Sequence, residues 1–149
     1  MATMQLPLDF KEFLKLLNSR QVKYLLIGGY AVSYYGYPRA TGDMDIWIAI
    51  EPTNAVKICE VLREFGFNLP ELSPDLFLHE NKIIRMGVPP LRLEILTTIS
   101  GVKFSDCYAD KLTVEIDEIE VNLISLSHLK LNKKASGRFK DLNDLENLS

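Results

Sequence analysis

Two short apolar segments limit most strongly what this chain can fold into. Residues 23–27 (KYLLI) run into Gly28-Gly29, and residues 44–50 (MDIWIAI) are followed by Pro52. Apolar runs of this length are typical of buried strands, while Gly and Pro at their ends favour turns and helix starts. The sequence therefore predicts buried strands that are joined through turns and short helices.

The rest of the chain predicts a mixed domain. Apolar residues at helical spacing predict helices over residues 9–20, 30–35, 52–65 and 104–110, and two more from 127 onward that are broken near Gly137. Further strands are predicted over residues 82–86, 91–97, 112–116 and 119–123. We expect Asp9 to be the N-cap of the first helix, 87–90 to connect two strands and 68–80 to be a loop. Because helices and strands do not alternate strictly, we expect an α+β or α/β domain with a mixed β-sheet.

The composition places the chain among ordinary globular proteins. It has 149 residues, of which 47% are hydrophobic and 25% charged, enough to enclose one core. We expect one domain over 1–149, with a core of about residues 8–124 and a helical segment of about 125–149. The net charge of -3 argues against a non-specific DNA coat. Two distant cysteines give no zinc motif, and the lack of a long apolar run or signal pattern predicts a cytoplasmic protein with no membrane partner.

The segment over residues 27–48 carries the main chemical signal. Gly28-Gly29 would let backbone amides approach a phosphate closely, although such a pair is more often a simple turn. Asp43 and Asp45 alternate along a predicted strand, which places both carboxylates on one face about 6 to 7 Å apart. Hard oxygen ligands in this arrangement suit Mg²⁺, and the alternative is a pair of solvent-facing acids at a strand end.

A third carboxylate lies on a later predicted strand. In residues 91–96 (LRLEIL), Arg92 and Glu94 share the face opposite the apolar side chains. A carboxylate in so apolar a strand is costly to bury unless it is paired or bound to a metal. If this strand lies beside that of Asp43, three carboxylates converge as two-metal nucleotidyl transfer requires. The alternative is an edge strand with an Arg92–Glu94 salt bridge.

Taken together, Gly-Gly, thirteen intervening residues, Asp-x-Asp and a later carboxylate strand resemble the nucleotidyltransferase superfamily with the DNA polymerase β-like core. The fuller segment GGYAVSYYGYPRATGDMDIWI is similar to small prokaryotic members, the lincosamide-modifying enzymes and the AbiE-type toxins, in which Arg-x-Thr or Arg-x-Ser precedes the acidic pair. The C-terminal segment SHLKLNKKASGRFKDLNDLENL is similar to the helical end of these proteins. The resemblance implies a mixed sheet with helices mainly on one face and further helices at the C-terminus.

The resemblance also implies roles for individual residues. Gly28 and Gly29 would cradle the phosphates of a nucleoside triphosphate such as ATP. Asp43, Asp45 and Glu94 would be catalytic and would bind Mg²⁺ or Mn²⁺. Asp is commoner than Glu at the third position, which leaves a general-base role for Glu94 open. The other implied nucleotide-binding residues are Lys133, which would contact phosphate as a catalytic residue, Asp141, Arg39 and Thr41.

Two of these implied roles have simpler alternatives. Arg39 either meets the triphosphate or orders the loop through Asp43. The basic run from Lys130 to Lys140 also fits a solvated helix face, and the resemblance singles out Lys133 alone within it.

The expected activity is the transfer of a nucleoside monophosphate from a nucleoside triphosphate to an acceptor. An RNA end, a protein hydroxyl and a small molecule all remain open as that acceptor. The alternative is a non-catalytic nucleotide-binding module that acts as a regulator or antitoxin, and a metal-dependent phosphohydrolase ranks third. Because so short a chain leaves little length for substrate recognition, we expect a homodimer or a toxin–antitoxin partner.

Overall fold

The computed structural model describes residues 4–38, 42–88 and 91–148. The predicted order of helices and strands is confirmed, and a 3-10 turn at Pro74–Phe77 lies within the predicted loop. The elements are α1 (Leu8–Ser19), β1 (Tyr24–Ile27), α2 (Gly28–Tyr34), β2 (Asp43–Ile48), α3 (Pro52–Phe65), β3 (Ile83–Val88), β4 (Leu91–Leu96), α4 (Phe104–Ala109), β5 (Leu112–Ile116), β6 (Ile119–Leu123), α5 (Leu126–Ser136) and α6 (Phe139–Asn147).

The strands form one mixed sheet in the order β3-β4-β2-β1-β6-β5. Strand β2 runs parallel to β4 and antiparallel to β1, and β1 in turn runs parallel to β6. The outer pairs β3–β4 and β5–β6 are antiparallel hairpins. The predicted mixed sheet is therefore confirmed. Strand β4 is an interior strand, so the alternative that residues 91–96 form an edge strand is wrong.

Helix α1 covers the core because its apolar residues recur every three or four positions. Phe10, Phe13, Leu14 and Leu17 are all buried, and the helix packs against α3 and β6. The rings of Phe13 and Phe65 meet edge to face at 5.3 Å and join α1 to α3. This packing holds the helices to the sheet whose interior strands β2 and β4 carry the acidic residues.

Two local predictions are wrong. The N-cap of α1 is Pro7, with no side-chain cap, and Asp9 lies instead within the first turn. There its charge is favourable near the positive end of the helix dipole. An acidic residue at the start of a helix can be either an N-cap or a first-turn residue, and the sequence pattern alone does not distinguish the two. Gly87 belongs to β3 and pairs with Arg92, so the strand extends into the segment predicted as a connection.

A buried asparagine fixes the start of β1 to the end of β2. The side chain of Asn54, on α3, accepts a hydrogen bond from the Lys23 amide at 2.7 Å. It donates to the carbonyl oxygens of Lys23 at 3.1 Å and Ala49 at 3.0 Å. These three bonds supply a partner for the Lys23 amide and add to the backbone hydrogen bond that the Lys23 carbonyl accepts from the Ala49 amide at 3.2 Å.

Candidate functional site

The parallel pairing of β2 and β4 brings the predicted acidic residues together. Asp45 lies beside Glu94 and Asp43 lies beside Arg92 in the register of these strands. Side chains at paired positions on one face of a sheet lie within contact range. Met44, between the two aspartates, is fully buried on the opposite face. The predicted adjacency of the two carboxylate strands is therefore confirmed.

Gly28 begins α2 directly against the carboxyl group of Asp45. Its φ of +67° lies in the left-handed region, and a β-carbon at this position would overlap Oδ2 of Asp45. Gly29 follows as a buried residue of the same helix. Gly28 is thus needed for close packing on the acidic strand, in addition to its place at the turn between β1 and α2.

A cavity of about 510 Å³ opens at this end of the sheet. It collects six of the residues implied by the resemblance, namely Gly28, Gly29, Asp45, Glu94, Lys133 and Asp141. Polar residues that the sequence analysis did not assign to the site also line it, among them Asn81, Arg85, Thr98, Ser100, Arg138 and Lys140. The cavity therefore joins the acidic strands to the C-terminal helices, as the resemblance implies.

Some of the cavity residues that the sequence analysis did not assign could have been found from the sequence, and others could not. Arg138 and Lys140 lie within three positions of Asp141 in the C-terminal segment, so the sequence alone shows that they are close to a residue implied to bind nucleotide. Arg85 had no such signal, because its position opposite Glu94 depends on the register of the β3–β4 hairpin. Asp43 is not among the described residues that line the cavity, although it lies two positions from Asp45 on the same strand.

Asp45 is an acid in an environment that opposes its charge. Burial, followed by the hydrogen bond and the negative charge of Glu94, raises the pKa of Asp45 to about 7. Asp43 adds to this rise, while Lys140 acts in the opposite direction. The Oδ1 atom of Asp45 is buried and has no hydrogen-bond partner among the described residues. Among the described residues, no hydrogen-bond donor therefore stabilises a negative charge on this oxygen.

The other two carboxylates are held by arginines. Arg92 donates from Nη2 to Oδ2 of Asp43 at 2.9 Å. Arg85 donates from Nε to Oε1 of Glu94 at 2.9 Å, and Nη2 of Arg92 lies 4.0 Å from the same oxygen. The two guanidinium groups thus neutralise part of the charge that three neighbouring carboxylates would carry.

The donor types fit a hard divalent cation, but the present arrangement does not assemble them. Asp43, Asp45 and Glu94 supply the carboxylate oxygens that Mg²⁺ prefers, and the unpartnered Oδ1 of Asp45 is a suitable ligand atom. Across residues 4–38, 42–88 and 91–148, however, no group of three acidic, His or Cys side chains is placed so that it could hold a metal ion. The predicted metal site stays a prediction, since Asp43 and Glu94 are bound to Arg92 and Arg85 in the present arrangement.

Lys133 is buried between two aspartates. Its Nζ lies 3.2 Å from Oδ1 of Asp141 and 3.0 Å from Oδ2 of Asp144, and all three side chains are almost completely buried. Arg138 adds a second cation, from Nε to Oδ2 of Asp141 at 2.7 Å. Hydrogen bonds from Arg138 and Lys133 lower the pKa of Asp141 against the opposing effect of its burial. Lys133 therefore joins α5 to α6 as well as lining the cavity.

Two residues implied by the resemblance, Arg39 and Thr41, lie outside the described residues. Their roles stay predictions. Among the described residues, no helix is long and apolar enough to cross a bilayer.

Comparisons with solved structures identify the fold. A protein of Thermotoga maritima that was assigned as a nucleotidyltransferase superposes with a TM-score of 0.62 at 16% identity, over 92% of this chain and 88% of that one. The fold is that of nucleotidyltransferases. No family model matches the sequence, and no curated protein does either.

Two further structures share this nucleotidyltransferase fold. The lincosamide antibiotic adenylyltransferase LnuA, solved with lincomycin bound, matches with a TM-score of 0.57 at 17% identity, over 94% of each chain. An antigenic nucleotidyltransferase-like protein from Paracoccidioides brasiliensis matches with a TM-score of 0.56 at 19% identity, over 93% of this chain and 72% of that one. The predicted α+β domain with a mixed sheet thus has the fold of solved nucleotidyltransferase structures.

Proposed function

We propose that this chain is a divalent-metal-dependent nucleotidyltransferase that moves a nucleoside monophosphate from a nucleoside triphosphate to an acceptor hydroxyl or phosphate. The observation that carries the proposal is the pairing of Asp45 with Glu94 against Gly28, at the acidic end of a cavity that also contains Arg138 and Lys140. Carboxylates for a metal and cations for a polyphosphate within one cavity are what transfer at the α-phosphorus requires. The nucleotidyltransferase fold supports the same conclusion.

The acidic end would supply the metal ligands and the proton acceptor. Asp43, Asp45 and Glu94 would hold Mg²⁺ or Mn²⁺, which when bound neutralises the phosphoryl oxygens and orients the attacking oxygen. That oxygen forms a bond to the α-phosphorus, the bond from the α-phosphorus to its bridging oxygen breaks, and pyrophosphate leaves. Glu94, which lines the cavity beside Asp45, would accept the proton that a hydroxyl acceptor loses.

The basic wall would bind the polyphosphate. Arg138 and Lys140 line the cavity and are exposed, so they are available to phosphate oxygens. Lys133 would act from a fixed position, because Asp141 and Asp144 hold its ammonium group. Gly28 and Gly29 would let the backbone approach the phosphates, and Arg39 and Thr41 are proposed as further contacts.

The test is a transfer assay with four α-labelled nucleoside triphosphates and Mg²⁺. Acceptors would include RNA ends, proteins, small hydroxylated molecules and the chain itself, with pyrophosphate release as a second readout. Asp45→Asn should lower the rate by more than the roughly 10- to 100-fold typical of outer-shell partners of a metal site. Glu71→Gln, which changes an exposed carboxylate outside the cavity, should leave the rate unchanged. Equal rates for the wild-type chain and Asp45→Asn would reject the assignment.

The arginine pairs favour one second candidate, a nucleotide-binding module without turnover. Asp43 and Glu94 already bind Arg92 and Arg85, so the cavity can hold a polyphosphate on its basic wall without a metal. Such a module would act on a toxin or antitoxin partner or within a homodimer. A thermal shift with nucleoside triphosphates that is unchanged by Mg²⁺, together with no release of pyrophosphate, would favour this candidate.

A further inference from the structure

Arg85 occupies a place where it can contact either the protein or a substrate. It faces Glu94 across the β3–β4 hairpin and binds Oε1 of that residue through Nε at 2.9 Å. Its side chain is 55% exposed, whereas that of Glu94 is 16% exposed. Both residues line the cavity. The guanidinium group of Arg85 therefore forms an ion pair with Glu94 at the wall of the proposed substrate site.

The contact between Arg85 and Glu94 competes with a metal ion for the same carboxylate. An ion pair with so exposed a partner contributes little, so a divalent cation at Glu94 can replace it. Arg85 would then lie beside a centre of like charge, with the five N–H donors of its guanidinium available to another anion. In this cavity the anion brought by the proposed reaction is a polyphosphate, whose oxygens accept paired bonds from guanidinium groups.

Arg92 provides a contrast within the same cluster. It binds Asp43 at 2.9 Å and is not among the described residues that line the cavity. It can therefore keep its contact with Asp43 while a ligand enters, and orient that carboxylate from outside the cavity. Arg85 is the guanidinium of this pair that a ligand in the cavity would meet.

We propose that Arg85 is a substrate-binding residue that holds Glu94 in the metal-free chain and moves to the phosphate oxygens of the triphosphate when a divalent cation occupies the carboxylates. This inference rests on the proposed function. It adds Arg85 as a substrate-binding residue and places metal binding before polyphosphate binding. Metal binding would free the guanidinium, and the polyphosphate would then bind it.

The test measures the affinities for Mn²⁺ and for tripolyphosphate, which the proposal predicts to change in opposite directions when Arg85 is replaced by Gln. Mn²⁺ alone and inorganic tripolyphosphate with saturating Mn²⁺ would be titrated by calorimetry into the wild-type chain, Arg85→Gln and Arg85→Lys. Arg85→Gln should bind Mn²⁺ about two- to fivefold more tightly, the range set by loss of an exposed ion pair. The same variant should bind tripolyphosphate at least about tenfold more weakly, as expected for a lost hydrogen bond between charged groups. Arg85→Lys keeps the charge but lacks the planar guanidinium group, so its affinities for Mn²⁺ and tripolyphosphate should lie between those of the wild-type chain and Arg85→Gln.

Lys82→Gln is the matched control for charge, since it removes an exposed cation next to β3 that has no contact with Glu94. It should change neither affinity by more than about twofold. Weaker Mn²⁺ binding by Arg85→Gln would overturn the proposal, because Arg85 would then only orient Glu94. Unchanged tripolyphosphate affinity would also overturn it.

The proposed function can fail separately. A chain that binds Mn²⁺ through Asp45 but shows no opposed shifts in Arg85→Gln would reject the role of Arg85 alone. If neither the wild-type chain nor Arg85→Gln binds Mn²⁺, both the metal site and the role of Arg85 are rejected.

Discussion

The backbone of Gly28 lies so close to the Asp45 carboxyl group that a β-carbon at position 28 would overlap one of its oxygens. The contact joins the start of α2 to the acidic strand β2. It links the first glycine of the Gly-Gly pair to the second aspartate of Asp-x-Asp, because a larger residue at position 28 would enter the space that the Asp45 carboxyl group fills.

Gly28→Ala should therefore destabilise the chain and disturb the acidic site. Gly36→Ala is its control, because Gly36 has a φ of +105° but nothing within 4 Å of an added β-carbon. Both variants incur about 1 to 2 kcal/mol of left-handed backbone strain, and Gly28→Ala should lose a further 1 to 3 kcal/mol, roughly, through overlap with Asp45. Urea unfolding measures both values. Equal losses in the two variants would show that backbone strain alone requires Gly28.

The stability of the metal-free chain should fall as pH rises from about 4 to 7. Unfolded Asp45 titrates near 3.8, and the pKa of the folded residue is raised to about 7. Between these values the folded chain retains a proton that the unfolded chain has released, so the free energy of unfolding decreases with pH and levels off above 7. The measurement is urea unfolding in EDTA at pH 5 and pH 8. Asp45→Asn should show a smaller decrease, and the same decrease in both proteins would contradict the assignment to Asp45.

Lys133→Met should cost about 3 to 5 kcal/mol of unfolding free energy, because it leaves the buried carboxylates of Asp141 and Asp144 without the ammonium group between them. Lys134→Met removes an exposed lysine from the next position of the same helix and should change stability by no more than about 0.5 kcal/mol. Chemical denaturation of the three proteins provides the comparison. A loss of phosphate affinity without a loss of stability in Lys133→Met would assign the residue to ligand binding alone.

Asn54→Ala should cost about 1 to 3 kcal/mol, since it leaves the amide of Lys23 without its partner. It also removes one hydrogen bond from each of the carbonyls of Lys23 and Ala49, which still accept from the backbone. Asn68→Ala, at an exposed loop position, is the control and should be nearly neutral. Thermal and urea unfolding would both report the difference. A neutral Asn54→Ala would mean that water replaces all three hydrogen bonds.

Most elements could be predicted because local signals determine them. Pro52 and Gly66 mark the ends of α3, and the alternation of Asp43, Met44 and Asp45 fixes which side chains face the core. The bounds of β5 and β6 agree with the predicted hairpin. These features depend on residues within a few positions of one another.

The contacts of the candidate site could be predicted only in part, because they depend on register and helix packing. The sequence places Arg92 and Glu94 on one face, but only the pairing of β2 with β4 decides that Arg92 binds Asp43. The burial of Lys133 follows from the angle at which α6 returns after Gly137, which no local pattern specifies. Arg85 was missed for the same reason.

The parallel pairing of β2 with β4 also orders the assembly of the molecule in time. Asp43 and Arg92 are 49 positions apart, and α3 lies between their strands. A chain emerging from the ribosome therefore presents Asp43 and Asp45 when only β1, and not yet β4, is available to pair with their strand. The lysine–aspartate contacts of α5 and α6 come later still. The acidic side of the cavity is complete only once β4 has been synthesised, and the basic side requires α5 and α6 near the end of the described chain, so products truncated before β4 would carry the acidic pair without the pocket.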